Sequence, residues 1–320
     1  MKKMYEEFVT YVEENILSKM PEADKRKVVI RDVVKNNNMV LTSLSMPKED
    51  EIMAPVFYLD FLYEEYYHRE VDLDVYLNEI SSRYCLAEEK SCYPFDLKML
   101  KKENIFCAVV PRTDNEEFLR DLMFYPLNDD FAVVFKFYLE GLPDGDSGTV
   151  LITDAIAQGM NYSLKDLREL AIQNTPRLFP LEFGTMFELM LKSGLLEEDS
   201  FLMEQLREKQ VSGETMYYLT NEQRHLGATV LLYPEIGKMM YEHFKTDIVL
   251  IPSSIHEWLI LPYDEEMDFY YLCNQMVEIN VSVKEAGEML GEHPYRIRRE
   301  NLLKSDCLFS VLEDLVVIEP

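Results

Sequence analysis

Two β-rich runs, Phe131–Leu139 and Thr149–Thr153, are separated by Gly-Leu-Pro-Asp-Gly-Asp-Ser-Gly at residues 141–148. Glycine supplies positive φ, proline presets a turn, and Asp and Ser hydrogen-bond their own backbone, so this stretch predicts a hairpin with a loose loop. The same logic applies near the N-terminus. There Lys27–Val34 and Met39–Ser45 flank Asn36-Asn37-Asn38, residues that tolerate the left-handed conformation a hairpin turn needs. Strands that come as hairpins, with helices gathered in runs, predict an α+β fold and not an alternating parallel sheet.

Helical spacing places the remaining elements. Tyr5, Phe8, Val9, Val12 and Ile16 predict an amphipathic first helix over 4–19, ended by Pro21. A short strand at 56–59 and helices at 60–69 and 72–84 complete an N-terminal lobe of helix, hairpin and helices, residues 1–125. The C-terminal α+β lobe, 126–320, has Ser163 and Asp166, then Thr185 and Glu188, at the spacing of two capping boxes. Pro176 is expected to stop the first of these helices and Gly194 the second. Strands are expected at 104–111, 216–219, 247–252 and 255–262, with helices at 114–121, 234–244 and 265–278. Glu197–Glu214, rich in carboxylates, reads as the most mobile stretch.

Of 320 residues, 59 are acidic and 32 basic, giving a net charge of −27. A phosphate surface selects clustered Lys and Arg, so this balance argues against a general nucleic-acid or anionic-membrane binder. The excess is not a tail, because residues 1–50 are neutral while 51–100 carry −7 and 251–320 carry −9. Lys25-Arg26-Lys27 is the local exception. Cys85, Cys92, Cys107, Cys273 and Cys307 show no metal or redox spacing, which predicts free thiols in a reducing cytoplasm. No apolar run approaches membrane length. Neither a metal site nor a cofactor is expected, since the histidines are scattered and no phosphate-binding glycine motif occurs; Asp144 and Asp146 beside Gly145 lack the register of a calcium loop.

One constellation carries the residue types of nucleophilic catalysis. Ser253-Ser254-Ile255-His256-Glu257 offers hydroxyl, imidazole and carboxylate within five residues. Strand alternation from Ile255 would send His256 and Glu257 to opposite faces, and the simpler reading is a turn whose hydroxyls cap backbone groups. The stretch 283–299, with Gly291 and the basic Arg296, Arg298 and Arg299, has the outline of a helix-turn-helix set among carboxylates. Tyrosines at 58, 63, 66 and 67 form a candidate partner-facing patch.

Asp130–Phe135, Gly148–Ile152 and Leu167–Leu178, the last ending Asn174-Thr175-Pro176-Arg177-Leu178, resemble a domain-of-unknown-function family, number fifty-six eighty-eight, of anaerobic gut Clostridia. Tyr218–Asn221, Gly227–Pro234 and Leu250–Glu257 extend the resemblance to nearly full length. It implies a bacterial cytoplasmic protein and supplies no reaction. The leading expectation is a non-catalytic binding protein whose partner is a protein, a basic one by charge, with no membrane and with nucleic acid disfavoured. Asn174, Arg177, Asn221, Tyr63, Tyr66 and Tyr67 are its candidate binding residues. Two alternatives stand beside it: a hydrolase or transferase using Ser253 or Ser254 with His256 and Glu257, and a regulator of nucleic-acid machinery acting through 283–299 or by acidic mimicry of DNA.

Overall fold

The structure, a computed structural model, describes residues 4–49, 54–91, 100–113, 115–140, 147–192, 215–285, 287–303 and 315–318. The Gly194 stop, the charged stretch 197–214, the Asp144–Asp146 loop, Cys92 and Cys307 lie outside these. Three antiparallel sheets and intervening helices make the fold α+β. Contacts divide the chain into two compact units. One holds residues 1–35, 39–100 and 139–148; the other holds 36–38, 101–138 and 149–320. The break at 100/101 precedes the sequence-derived lobe boundary at 125/126, because strand 105–111 pairs with strand 131–139.

In the first unit, helix α1 (Tyr5–Asn15) buries Phe8 and Val12 at i, i+4 spacing. Strands β1 (Val29–Val34) and β2 (Val40–Ser45) form the expected hairpin, and β3 (Phe57–Tyr58) adds to its β2 side. Helices α2 (Leu59–His68) and α3 (Leu73–Ser91) follow. Their aromatic rings are largely core. Tyr66 is buried and stacks between Phe8 and Tyr76, with centroids 5.6 and 5.8 Å away. Tyr63 packs against Tyr5 and Phe8, so of the tyrosines proposed to face a partner only Tyr67 is fully at the surface.

In the second unit, β6 (Phe131–Leu139) is the spine of a four-stranded sheet. It pairs with β4 (Ile105–Pro111) from Ile105↔Phe137 to Pro111↔Phe131, and also with β5 (Phe124–Pro126) and β7 (Gly148–Leu151). Burial of both faces explains the continuous run Phe-Ala-Val-Val-Phe. A six-stranded sheet runs in the order β13 (Val316–Val317), β12 (Tyr295–Ile297), β10 (Ile248–Ser254), β11 (Glu257–Pro262), β9 (Tyr217–Asn221), β8 (Leu181–Thr185). Phe131 joins the sheets, its ring 5.6 Å from Trp258 and 5.4 Å from Tyr295.

Helix α6 (Leu164–Leu178) starts at its capping box: Ser163 Oγ accepts the Asp166 N–H at 3.2 Å, and Ser163 N–H donates to Asp166 Oδ2 at 2.9 Å. Pro176 does not stop it. The helix continues two residues further because Thr175 and Leu178 are buried anchors on its inner stripe, and the missing N–H falls in the last turn, near where the hydrogen-bond ladder ends. The helix-turn-helix outline is also not what forms. Gly287, at φ 70°, terminates helix α9 (Phe269–Glu285), and Tyr295–Ile297 is a strand paired with β10. The arginines meant for phosphate are engaged elsewhere: Arg296 binds Asp247 at 2.6 Å, and Arg299 lies 3.6 Å over the Tyr241 ring.

The basic triplet near the N-terminus resolves similarly. Arg26 is buried and grips Glu88 bidentately at 2.7 Å, while its Nε donates to Pro21 O and Nη1 to Met46 O. Those hydrogen bonds from Arg26 hold the Glu88 carboxyl below the usual range despite the opposing effect of burial. A carboxyl with a depressed native pKa stabilises the fold at neutral pH, and this stabilisation is lost as pH falls through that pKa. Arg26→Met, which leaves Glu88 only the more distant Lys48 at 3.9 Å, is expected to cost the first unit about 3 kcal/mol. Glu88→Gln should flatten the acid limb of stability against pH. Urea unfolding monitored by circular dichroism across acidic pH checks both.

Candidate functional site

The Ser-Ser-Ile-His-Glu segment forms the β10–β11 hairpin end. Ser254 pairs with Glu257 across the ladder, and Ile255 and His256 are the turn itself, so strand alternation begins only at Glu257. Ser253 Oγ lies 3.3 Å from Glu257 Oε1, and Ser254 Oγ accepts the His256 backbone N–H at 3.1 Å. Neither hydroxyl meets the imidazole. His256 Nδ1 accepts the Leu226 N–H at 3.0 Å, which leaves the ring proton on Nε2, directed at Glu288 Oε1 3.4 Å away. The His225 ring lies alongside, with centroids 5.5 Å apart. Partial desolvation, then the charges of Lys136 and His256, hold His225 below the usual histidine range.

These contacts serve one buried piece of irregular backbone. Between β9 and helix α8 (Ile236–His243), residues Gly227–Leu232 form a 3₁₀ helix in which every residue is buried. Buried peptide groups need partners, and side chains supply them. Trp258 Nε1 donates to Ala228 O at 2.8 Å, Thr229 Oγ1 accepts the Val109 N–H at 3.1 Å, and the Ala228 N–H reaches Ile255 O at 3.2 Å. Asn221 closes the approach, its Nδ2 on His225 O at 2.8 Å. Arg224 and Leu226 take left-handed backbone conformations, φ 51° and 53°. At Gly227 an added Cβ would sit 2.1 Å from Thr220 Oγ1 and 2.3 Å from His256 O.

Thus Asn221 and His256 converge on this loop, Ser254 stays within the hairpin turn, and Asn174 and Arg177 lie elsewhere. Asn174 Nδ2 donates to Lys102 O at 2.8 Å and Ile105 O at 3.0 Å, and Arg177 donates to Glu103 O, so both tie α6 to the entry of β4. Three neighbours went unread in the sequence. Glu182 receives the Tyr218 hydroxyl at 3.0 Å and Arg224 at 3.2 Å, and burial first, then Glu182, pushes the Tyr218 phenol up to about 12. Their sequence separation leaves no local signal. Cys107, whose thiol burial raises to about 11, is inert core beside Thr175, not a nucleophile.

A solvent-open depression of about 470 Å³ lies elsewhere, lined by Arg112, Glu116, Leu119, Arg120, Phe124 and Asp129 among others. No residue singled out from the sequence lines it. Among the described residues no group of three His, Cys, Asp or Glu side chains is placed to hold a metal ion, and no helix is long and apolar enough to cross a membrane.

An α+β unit whose polar hairpin end is tied to a buried connecting segment is what the geometry defines. The family model described as "Family of unknown function (DUF5688)" matches residues 5–299, and the chain belongs to that family. No curated protein and no solved structure matches it.

If His256 holds this loop, His256→Ala leaves the Leu226 N–H unpaired and costs about 1–3 kcal/mol. Gly227→Ala should cost about 1–3 kcal/mol through overpacking. Ser253→Ala removes only the long 3.3 Å contact to Glu257 and should cost less than about 1 kcal/mol. Urea titration of Trp258 fluorescence reads all three, because the indole is bonded to the loop itself.

Proposed function

We propose that this chain is a non-catalytic binding protein that recognises another protein and selects basic partners through its acidic surface. One observation carries the reading. In the single segment that gathers serine, histidine and glutamate, the imidazole acceptor nitrogen is occupied by a backbone N–H, and each serine bonds to something else. A serine nucleophile requires that acceptor for its own proton. The engagement of Arg296 and Arg299 with Asp247, Phe244 O and Tyr241 O argues in the same direction against phosphate recognition by 283–299.

Two further features support a cytoplasmic setting for such a protein. Cys85, Cys107 and Cys273 are free thiols, and the acidic excess favours solubility and steers positively charged partners toward the surface. An activity-based serine probe tests the reading directly. Labelling of the native chain is expected to equal that of the Ser253→Ala/Ser254→Ala double variant. Labelling that vanishes in the double variant and in His256→Ala would establish a catalytic serine and end this proposal.

A further inference from the structure

Helix α9 is apolar on two sides. Its inner side sets Phe269, Leu272 and Met276 against the six-stranded sheet beside Val249, Ile251 and Leu259, with Met276 buried. Its outer side exposes Tyr270, Tyr271, Val277 and Val281 at 67, 61, 62 and 61 %. Core-facing amphipathic helices normally turn polar residues to water, so this second stripe needs a reason.

The outer stripe has a specific spacing. Tyr270, Asn274, Val277, Val281 and Lys284 follow one another by four, three, four and three residues. That is the alternation of d and a positions along the seam of two supercoiled helices, with Tyr270, Val277 and Val281 as its apolar members, Asn274 as a polar one that can fix register, and Lys284 closing the stripe at a d position in the last turn. Asn274 occupies an a position in this frame. Exposed carboxylates border the stripe: Asp264, Glu265, Glu266 and Asp268 precede it, and Glu278 flanks it.

Resting on the binding-protein reading above, we infer that the outer face of α9 is the docking seam for one amphipathic helix of a partner protein, apolar at its a and d positions and basic at the flanking ones. Charge decides the occupant. A second copy would bring the same five carboxylates, on a chain of net −27, against their own kind. A helix carrying Lys or Arg beside its apolar stripe meets Glu278 along the seam, and the four carboxylates of 264–268 at the N-terminal end of α9, with opposite charge.

The test uses the full chain and a synthetic peptide of about four heptads, with Leu at a and d, one Asn at an a position, and Lys at e and g. Fluorescence anisotropy is expected to show binding that weakens at least roughly tenfold in Val277→Asp/Val281→Asp, as for loss of central anchors. Both valines are exposed, so circular dichroism and thermal melting of the double variant should match wild type. A peptide of the same composition with scrambled a and d positions should bind both chains equally weakly, and one with Glu at e and g should not bind. The inference is overturned if the patterned peptide binds both chains equally, if it fails to bind, or if sedimentation shows a wild-type dimer that the double variant dissolves. These outcomes leave the serine-probe result untouched, so the loss of this docking site and the loss of the binding-protein reading are separate events.

Discussion

A buried stretch of irregular backbone, Gly227–Leu232, is the constraint around which the second unit is organised. Peptide groups removed from water without regular partners cost free energy comparable to a lost hydrogen bond, so each must be met individually. The indole of Trp258 meets Ala228 O, the Ile255 carbonyl meets the Ala228 N–H, and the His256 ring meets the Leu226 N–H at the entrance, while the Thr229 hydroxyl in turn accepts the Val109 N–H of β4. Gly227 makes the close approach to Thr220 and His256 O possible. Through these contacts the segment links the six-stranded sheet to β4 of the four-stranded one. Residues that look like chemistry in the sequence are thereby employed as backbone partners.

The same economy governs the cations. Arg26 is buried on Glu88, and half-buried Arg296 and Arg299 hold Asp247 and the Phe244 and Tyr241 carbonyls. Each is engaged with a carboxylate or with carbonyls inside the chain. With 59 acidic against 32 basic residues the balance stays negative, and the rim of α9 is where carboxylates border an apolar stripe. Acidity acquires a location, and with it a preference for what can dock there.

Much of the fold was legible in local patterns. The capping boxes at Ser163 and Thr185 form as read, because a cap depends only on residues three apart. The hairpin around Asn36–Asn38 forms for a similar reason, with Asn37 and Asn38 at positive φ. Where reading failed, the deciding contact was distant. Pro176 lies within a helix because Thr175 and Leu178 are buried, and Tyr66 belongs to the core because Phe8 and Tyr76 stack on it. In α9 a helix was expected but its outer apolar stripe was not, since a single apolar face satisfies the usual expectation for a surface helix.

The sequence by itself determined the α+β class, the positions of most strands and helices, the family and the overall acidity. These follow from periodicity, turn residues and composition, which act over a few neighbours or over the whole chain. Only the tertiary structure decided what His256, Asn174, Arg177 and the basic triplets do. A side chain's role depends on which group lies 3 Å from its polar atom, and here those groups come from segments 30 to 74 residues away, such as Leu226 for His256, Lys102 and Glu103 for Asn174 and Arg177, and Glu88 for Arg26.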